Sequence, residues 1–245
     1  MNRVPDLVLT VSEQVRRFCI ETDRLPPERV FTLYNGLELE SIEKVNGSAG
    51  FPGLLGIGEN TRIILTVGHI RRVKGIDVLV ETAARVTKSF PDVVFLVVGR
   101  DCEEEHLREI KSRIGELHLE SKVRFLGEMK DIYPLLKLAT MFFLPSRSEG
   151  FSNALIEAMA CGRPSVVTDV GGNSEAIENG RTGYVIESEN VEAAADRILR
   201  LLHNPAEMAA MGAEARRVAQ RRFTAQAMLE NLMAQYRRLL SSKRN

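Results

Sequence analysis

Short apolar runs alternate with amphipathic stretches along most of this chain. Five runs rich in β-branched residues have the length of strands, and they occupy residues 63–67, 93–98, 123–126, 141–144 and 165–168. Continuous apolar runs of this kind are typical of strands that are buried on both faces. Their starts lie roughly 20–30 residues apart, which is the length of a βαβ unit. The pattern therefore predicts an α/β fold with a doubly wound, Rossmann-like parallel sheet.

Segments with a helical period separate these runs and dominate the end of the chain. Apolar stripes follow the first and second runs, at residues 78–90 and 107–117. The C-terminus is predicted to be helical in three segments, 191–203, 206–217 and 225–241. Apolar positions three and four residues apart are typical of helices that pack one face against a core.

A glycine-rich stretch divides the chain. The first forty residues carry a strand at 7–10, a helix that opens at Ser12 and a strand at 30–33, which is too little to form a hydrophobic core alone. Five glycines and Pro52 follow, a composition typical of a linker. We therefore predict an N-terminal fragment, a linker, a sheet domain and a C-terminal helix, at residues 1–40, 41–60, 61–222 and 223–245.

Composition and charge narrow the classes of function. The 33 basic and 33 acidic residues cancel, so charge gives no reason to expect nucleic acid as a partner. No apolar run approaches the ~18–20 residues of a membrane span, and the first residues lack the apolar core of a secretory signal. Three widely spaced cysteines fit a reducing compartment, and we expect a cytoplasmic protein. Basic pairs near the C-terminus favour solvated helix faces, with weak contact to the inner face of a membrane as the alternative.

The loop after the first predicted strand concentrates positive charge. In an open parallel sheet, ligands bind where the strands end. Residues 68–75 place three cations and a histidine just before a helix: His69, Arg71, Arg72 and Lys74. A helix N-terminus offers free N–H groups and partial positive charge, so this loop suits an anion such as a diphosphate. It is not a Walker A loop, because Gly75 stands where that motif needs Ser or Thr. A solvated basic turn is the alternative.

One glutamate precedes the helix that follows the fourth predicted strand, and a second lies within this helix. This helix opens near Ser152 or Asn153, both good N-caps, and ends at Gly162. Glu157 shares a face with Asn153, and one carboxylate can accept both hydroxyls of a ribose. Glu149 precedes the helix, where the amides of residues 150–152 could donate to phosphate or sugar oxygens. Each glutamate alone is equally compatible with an exposed surface charge.

The remaining loops and the histidines indicate no metal chemistry. Gly171 and Gly172 follow the fifth predicted strand, where they suit either a ligand close to the backbone or a tight turn, and the pair alone favours the turn. The four histidines lack the spacing of metal ligands, and the chain has no Asp-x-Asp motif. We therefore expect no metal site.

Four segments together resemble the donor domain of the GT-B glycosyltransferases, of the retaining family 4 type. In chain order they are residues 12–38, 68–75, 148–164 and 171–184. The third segment carries Glu149 and Glu157 in the manner of that family's Glu-x7-Glu signature, and it is long and specific. The resemblance covers nearly the whole chain. It implies a GT-B donor domain with a helical C-terminus, preceded by a remnant of the acceptor domain in residues 1–40.

The resemblance also implies roles for individual residues. Lys74 would hold the donor diphosphate and Glu149 would contact the transferred sugar, which makes these two the catalytic candidates. Glu157 would hold the ribose. Further contacts to the donor would come from His69, Arg71, Arg72, Gly99, Arg100, Leu126, Gly127, Gly150, Phe151, Ser152 and Asn153.

The activity implied is transfer of a hexose-type sugar from a UDP- or GDP-sugar to an acceptor hydroxyl, with retention and without a metal. The cations and the helix N-terminus would stabilise charge on the leaving diphosphate. The chain departs from the family in two places. His69 stands where the family usually has arginine, and the loop after Gly99 lacks a second glycine.

The acceptor side leaves other functions open. A full enzyme of this family has a whole acceptor domain, and only its end is expected in this chain. The acceptor itself, a glycan or a lipid-linked sugar of polysaccharide biosynthesis, follows from the family alone. A catalytically silent nucleotide-sugar-binding module, or a subunit that needs a partner chain, is the alternative. An epimerase of the same architecture would need a catalytic base, which we do not find in the sequence.

Overall fold

The β-structure consists of a small pair of strands and a central sheet. The computed structural model of the chain describes residues 5–44, 56–58 and 60–242. In this part of the chain, β1 (Val8–Thr10) pairs with β2 (Val30–Thr32) apart from the central sheet. The central sheet contains β3 (Arg62–Val67), β4 (Val93–Val98), β5 (Val123–Gly127), β6 (Met141–Leu144), β7 (Ser165–Thr168) and β8 (Gly183–Ile186).

The central sheet changes its direction of winding once. Its strands run in the order β5-β4-β3-β6-β7-β8, and every described pair is parallel. The chain winds outward from β3 to β5 and then returns to the other side of β3, where Ile64 pairs with Met141 of β6. The ends of β3 and β6 therefore flank a crevice of the kind in which doubly wound sheets bind ligands. The predicted doubly wound parallel sheet is confirmed.

The predicted strands agree closely with the observed ones. β4, β6 and β7 have the predicted bounds, while β3 and β5 are each one residue longer than predicted. These runs were recognisable because both faces of the strands are covered. β8 was not predicted, since it begins at Gly183 and lies at the edge of the sheet.

Helices connect the strands and complete the C-terminus. α1 (Glu13–Glu21) links β1 to β2, and the helices after it are α2 (Leu39–Glu43), α3 (Ile76–Ser89), α4 (Glu104–Glu116), α5 (Tyr133–Leu138), α6 (Asn153–Ala160), α7 (Asn173–Ala176), α8 (Val191–His203), α9 (Pro205–Arg222) and α10 (Ala225–Ser242). The three predicted C-terminal helices are confirmed, although α9 extends beyond 206–217 at both ends. No helix among the described residues is both long enough and apolar enough to span a lipid bilayer.

Three short helices fall outside the sequence predictions. α2, α5 and α7 contain four to six residues each, which is too few to display a helical period. The predicted linker at 41–60 begins inside α2, and its residues 45–55 and 59 lie outside the described part of the chain.

Two apolar layers cover the two faces of the central sheet. Alternate strand residues point to opposite faces, so Leu65, Leu96 and Phe142 belong to one core cluster and Ile64 and Phe143 to the other. The first cluster includes side chains of α5, α6 and α9, and the second includes side chains of α3, α4 and α8. All five of these strand side chains are fully buried. This two-sided burial explains why the strands read as continuous apolar runs.

The N-terminal segment is tied to the sheet domain by Glu175. The backbone N–H groups of Glu13 and Gln14, at the start of α1, donate to the Glu175 carboxylate over 2.9 Å each. The Tyr34 hydroxyl donates to the same carboxylate over 2.8 Å. The Tyr34 ring also packs against Phe151, with ring centroids 5.2 Å apart. A single carboxylate thus compensates the helix N-terminus and anchors the chain after β2.

We expect Glu175→Ala to lower the free energy of unfolding by about 2 kcal/mol, because charge-assisted bonds to a helix N-terminus and a hydroxyl are lost. Urea denaturation followed by circular dichroism measures the change. Glu187→Ala, at an exposed glutamate, is the matched control and should shift the midpoint little. Equal stability of the two variants would show that Glu175 does not hold α1.

Candidate functional site

A cavity of about 370 Å³ opens at the crevice between the ends of β3 and β6. It brings Lys74 and Glu157 to one surface, as a shared ligand would require. The other predicted residues that line it are His69, Gly99, Arg100, Glu149, Phe151, Ser152 and Asn153. Residues from four different loops or strand ends therefore meet in this one place.

The loop after β3 is folded against the loop after β6 by a close backbone contact. Gly75 has a φ of +65°, and a Cβ atom there would lie 2.0 Å from the carbonyl oxygen of Pro145. Only glycine fits this position without moving one of the loops. Arg147 strengthens the contact, because its backbone N–H donates to Val73 and its guanidinium forms two hydrogen bonds with Asp77. The position of Lys74, between these contacts, is fixed as a result.

Lys74 and Glu149 form a largely buried ion pair inside the cavity. The Lys74 Nζ lies 2.7 Å from Glu149 Oε1, and the Ser146 hydroxyl donates to the same oxygen over 2.7 Å. The Glu149 side chain is only 8% exposed and that of Lys74 is 23% exposed. An ammonium has three donors, so Lys74 can keep this bond and still donate to a bound anion. The second carboxylate oxygen of Glu149 has no hydrogen-bond partner among the described residues and can accept a hydrogen bond from a hydroxyl.

The N-terminus of α6 forms the opposite wall. The Ser152 hydroxyl oxygen accepts a hydrogen bond from Leu155 N–H over 3.3 Å and caps the helix, as predicted. Glu157 lies one turn further along this helix. Burial raises the pKa of the Glu157 carboxyl, while the Tyr133 hydroxyl, 3.5 Å from Oε1, opposes that rise. Burial together with Glu157 raises the pKa of Tyr133 to about 12, so Tyr133 stays a donor at neutral pH.

The third wall follows β4 and β5. A Cβ atom at Gly99 would lie 2.0 Å from the carbonyl oxygen of Gly68, so the loops after β3 and β4 also touch through backbone. Arg100 borders the cavity here. Sequence reasoning missed the neighbouring lining residues Glu128, Met129 and Ile132. The signal that could have located them is their place directly after β5, at the same edge of the sheet.

Leu126 and Gly127 do not belong to the cavity surface. The carbonyl oxygen of Gly127 accepts a hydrogen bond from Gly99 N–H over 2.8 Å. Gly127 therefore supports the loop after β4 through its backbone, and residues further along the chain, Glu128, Met129 and Ile132, line the cavity.

Arg71 and Arg72 do not line the cavity either. The Arg72 guanidinium lies 2.8 Å from both carboxylate oxygens of Glu109 on α4, outside the pocket. Of the cations and histidine predicted on this loop, Lys74 and His69 reach the site. The sequence could not distinguish them, because a short 3₁₀ turn at Arg72–Lys74 decides which side chains face inward.

Gly150, Gly171 and Gly172 shape the site through backbone contacts. Gly172 N–H donates to the carbonyl oxygen of Gly150 over 2.9 Å. A Cβ atom at Gly171 would lie 1.8 Å from the carbonyl oxygen of Glu149. The pair is thus needed for a tight turn packed on residues 149–151, which agrees with the turn interpretation. Within the described residues, no group of three or more His, Cys, Asp or Glu side chains could hold a metal ion.

Comparison with known proteins identifies the family. The model of the family described as glycosyl transferases group 1 matches residues 53–218, more than half of the chain. The chain belongs to this family. All the residues that line the cavity lie within the matched region.

Relatives of this group 1 glycosyltransferase chain are longer than the chain itself. N-acetyl-alpha-D-glucosaminyl L-malate synthase of Bacillus anthracis is 30% identical over 94% of this chain and 58% of that protein. UDP-Gal:alpha-D-GlcNAc-diphosphoundecaprenol alpha-1,3-galactosyltransferase of Escherichia coli is 25% identical over 79% of this chain and 50% of that protein. The chain thus spans less than two thirds of either relative.

Solved structures share the fold. HepE of Anabaena, in complex with UDP-glucose, is 26% identical with a TM-score of 0.87, over 95% of this chain and 65% of that one. WaaG, described as a glycosyltransferase involved in lipopolysaccharide biosynthesis, has a TM-score of 0.77 at 24% identity, over 90% of this chain and 60% of that one. The GT-B glycosyltransferase architecture expected from the sequence is confirmed.

We expect Glu157→Gln to raise the free energy of unfolding at pH 7. Burial raises the pKa of this carboxyl, so keeping it ionised in the folded state costs stability above that pKa. The advantage of the variant should vanish as the pH falls through the pKa, because the wild-type carboxyl is then neutral as well. Thermal unfolding at pH 7 and pH 4 measures the difference. A variant that is less stable at pH 7 would contradict this sign.

Proposed function

We propose that the chain binds a nucleoside diphosphate sugar in this cavity and forms the donor half of a retaining, metal-independent glycosyltransferase of the family 4 type. The donor would be a UDP- or GDP-sugar, and a hexose-type sugar would pass to an acceptor hydroxyl. The observation that carries the proposal is that Lys74, Glu149 and Glu157 line one cavity at the switch point of the sheet.

The geometry suits each part of such a donor. The diphosphate would lie between Lys74 and the N-terminus of α6, where an ammonium and backbone N–H groups offer donors to anionic oxygens. As the bond to the sugar breaks, negative charge grows on the diphosphate, and the same groups would stabilise it. Glu157 would accept the ribose hydroxyls, and Glu149 would accept a hydroxyl of the transferred sugar. Arg100 and the backbone near Gly99 would border the base.

Similarity to other proteins supports the choice of donor. The HepE structure contains UDP-glucose, and the Escherichia coli relative is named as a UDP-Gal-dependent galactosyltransferase. More than a third of each of these proteins lies outside the region that it shares with this chain. The activity of a whole enzyme is therefore part of the proposal. The site residues needed for the donor lie within residues 53–218, the part of the chain that matches the family model.

The acceptor side would involve the N-terminal segment and α10. α10 carries apolar side chains on two faces, and a row of apolar side chains along a helix normally packs against another surface. One face lies toward β2, where the Arg238 guanidinium is 4.8 Å from the Phe31 ring centroid. The other face is exposed and carries Leu229, Met233, Tyr236 and Leu240. We assign this exposed face to contact with an acceptor domain, of which residues 1–40 would be the end, or with a partner chain.

We expect UDP or GDP to bind the purified chain with a Kd between micromolar and millimolar in the presence of EDTA. Lys74→Ala should weaken binding by about 10- to 100-fold, the effect of losing one charged hydrogen bond. Isothermal titration calorimetry measures both.

Arg71→Ala removes the same charge from the same loop, outside the cavity, and should change the Kd less than threefold. Equal losses in the two variants would mean that only the general charge of the loop matters. No heat and no thermal shift with either nucleotide would refute the proposed function.

We further expect the purified chain to bind a nucleotide sugar but to transfer the sugar to no added acceptor at an appreciable rate. The expectation follows from the exposed face of α10, which an acceptor domain would cover. Mass spectrometry of reactions with UDP-glucose and simple glycosides detects transfer. If product forms and the Lys74→Ala variant forms none, this chain alone suffices for catalysis. That result would exclude the alternative of a catalytically silent binding module.

A further inference from the structure

We infer that Asn35 is a positioning residue of the donor site, although it lies in the N-terminal segment and not in the sheet domain. The Asn35 Nδ2 donates a hydrogen bond to Asn153 Oδ1 over 2.7 Å. Asn153 is the first residue of α6 and lines the cavity. The inference rests on the proposed function, because the ligand that would sense Asn35 is the diphosphate of the donor.

The residues before and after Asn35 in the sequence fix its position. On one side, the Tyr34 hydroxyl is held by the Glu175 carboxylate over 2.8 Å. On the other side, Gly36 packs so closely on the turn between α9 and α10 that a Cβ atom would lie 2.4 Å from the carbonyl oxygen of Thr224. Asn35 therefore approaches Asn153 from a support that is itself anchored, and little entropy is lost in forming their bond.

In the structure, the NH₂ group of Asn35 takes up the oxygen end of the Asn153 amide. A primary amide carries an acceptor oxygen and a donor NH₂ group on opposite branches. With Oδ1 engaged by Asn35, the NH₂ group of Asn153 is the branch left for the cavity. There it joins Lys74 and the N–H groups at the start of α6 as a further donor to anionic oxygens. Turned the other way, the amide would present its oxygen to the phosphates and repel them.

A consequence is that donor affinity depends on docking of the N-terminal segment. Lys74, Glu149 and Glu157 all belong to the sheet domain, whereas the orientation of Asn153 is set from outside it. The two bonded residues are 118 positions apart in the chain. Any movement of residues 34–36 away from the sheet domain would release the amide and weaken the grip on the diphosphate.

A double-mutant cycle on the complete 245-residue chain tests this inference. The variants are Asn35→Ala, Asn153→Ala and the double variant, with the Kd for UDP measured by calorimetry and the fold checked by thermal unfolding. Each single change should weaken UDP binding by about 3- to 10-fold, the effect of one hydrogen bond. The double variant should bind no more weakly than Asn153→Ala alone, because Asn35 acts only through Asn153.

Asn35→Asp provides a variant that reverses the bond. An aspartate can only accept, so it should draw the NH₂ group of Asn153 toward itself and turn the oxygen to the cavity. UDP should then bind more weakly than to Asn35→Ala. In the Asn153→Ala background, the same change should act only through its added charge and have a smaller effect. An equal effect in both backgrounds would contradict the reversal.

Uridine, which carries no phosphate, separates positioning from general structure. Its affinity should be unchanged in Asn35→Ala, and an equal loss for uridine and UDP would make Asn35 merely structural and overturn the inference. A UDP affinity of Asn35→Ala within twofold of the wild type, or additive losses in the cycle, would also overturn it. These outcomes leave the proposed function intact, whereas a wild-type chain that binds neither UDP nor GDP would refute both.

Discussion

Lys74 and Glu149 lie 75 positions apart in the chain, yet the cavity is built around the contact between them. Each charge would be costly to bury alone, and the pair is tolerated because the two groups are hydrogen-bonded to each other and Glu149 also to Ser146. The pair can form only if the loops after β3 and β6 touch. That approach depends on Gly75, whose missing side chain leaves room for the carbonyl oxygen of Pro145.

Close packing at a glycine also links the N-terminal segment to the site. Glu175 ties α1 and Tyr34 to the sheet domain, and Gly172 leaves no room for a Cβ atom between Phe151 and Ser12. The glycine pair after β7 therefore acts on the site indirectly, by packing the N-terminal segment against residues 149–151. A domain boundary drawn near residue 40 follows the composition of the chain, whereas Tyr34 and Asn35 form hydrogen bonds across it with Glu175 and Asn153.

Much of the fold could be predicted because its signals are local. β4, β6 and β7 had the predicted bounds, since strands covered on both faces consist mostly of apolar and β-branched residues. The start of α6 was also predicted, because Ser152 is a good N-cap whose bond closes within one turn. β8 and the short helices escaped prediction because few residues, some of them glycine or proline, carry no clear period.

The sequence by itself determined the layered α/β architecture, the strand ends where a ligand could bind and the two glutamates before and within one helix. Only the tertiary structure decided which side chains meet in the cavity. Arg72 turns to Glu109 while Lys74 turns inward, and Asn35 reaches Asn153 from a distant part of the chain. Periodicity and capping act between neighbours along the backbone, whereas these contacts depend on how separate elements pack, and no local pattern encodes that geometry.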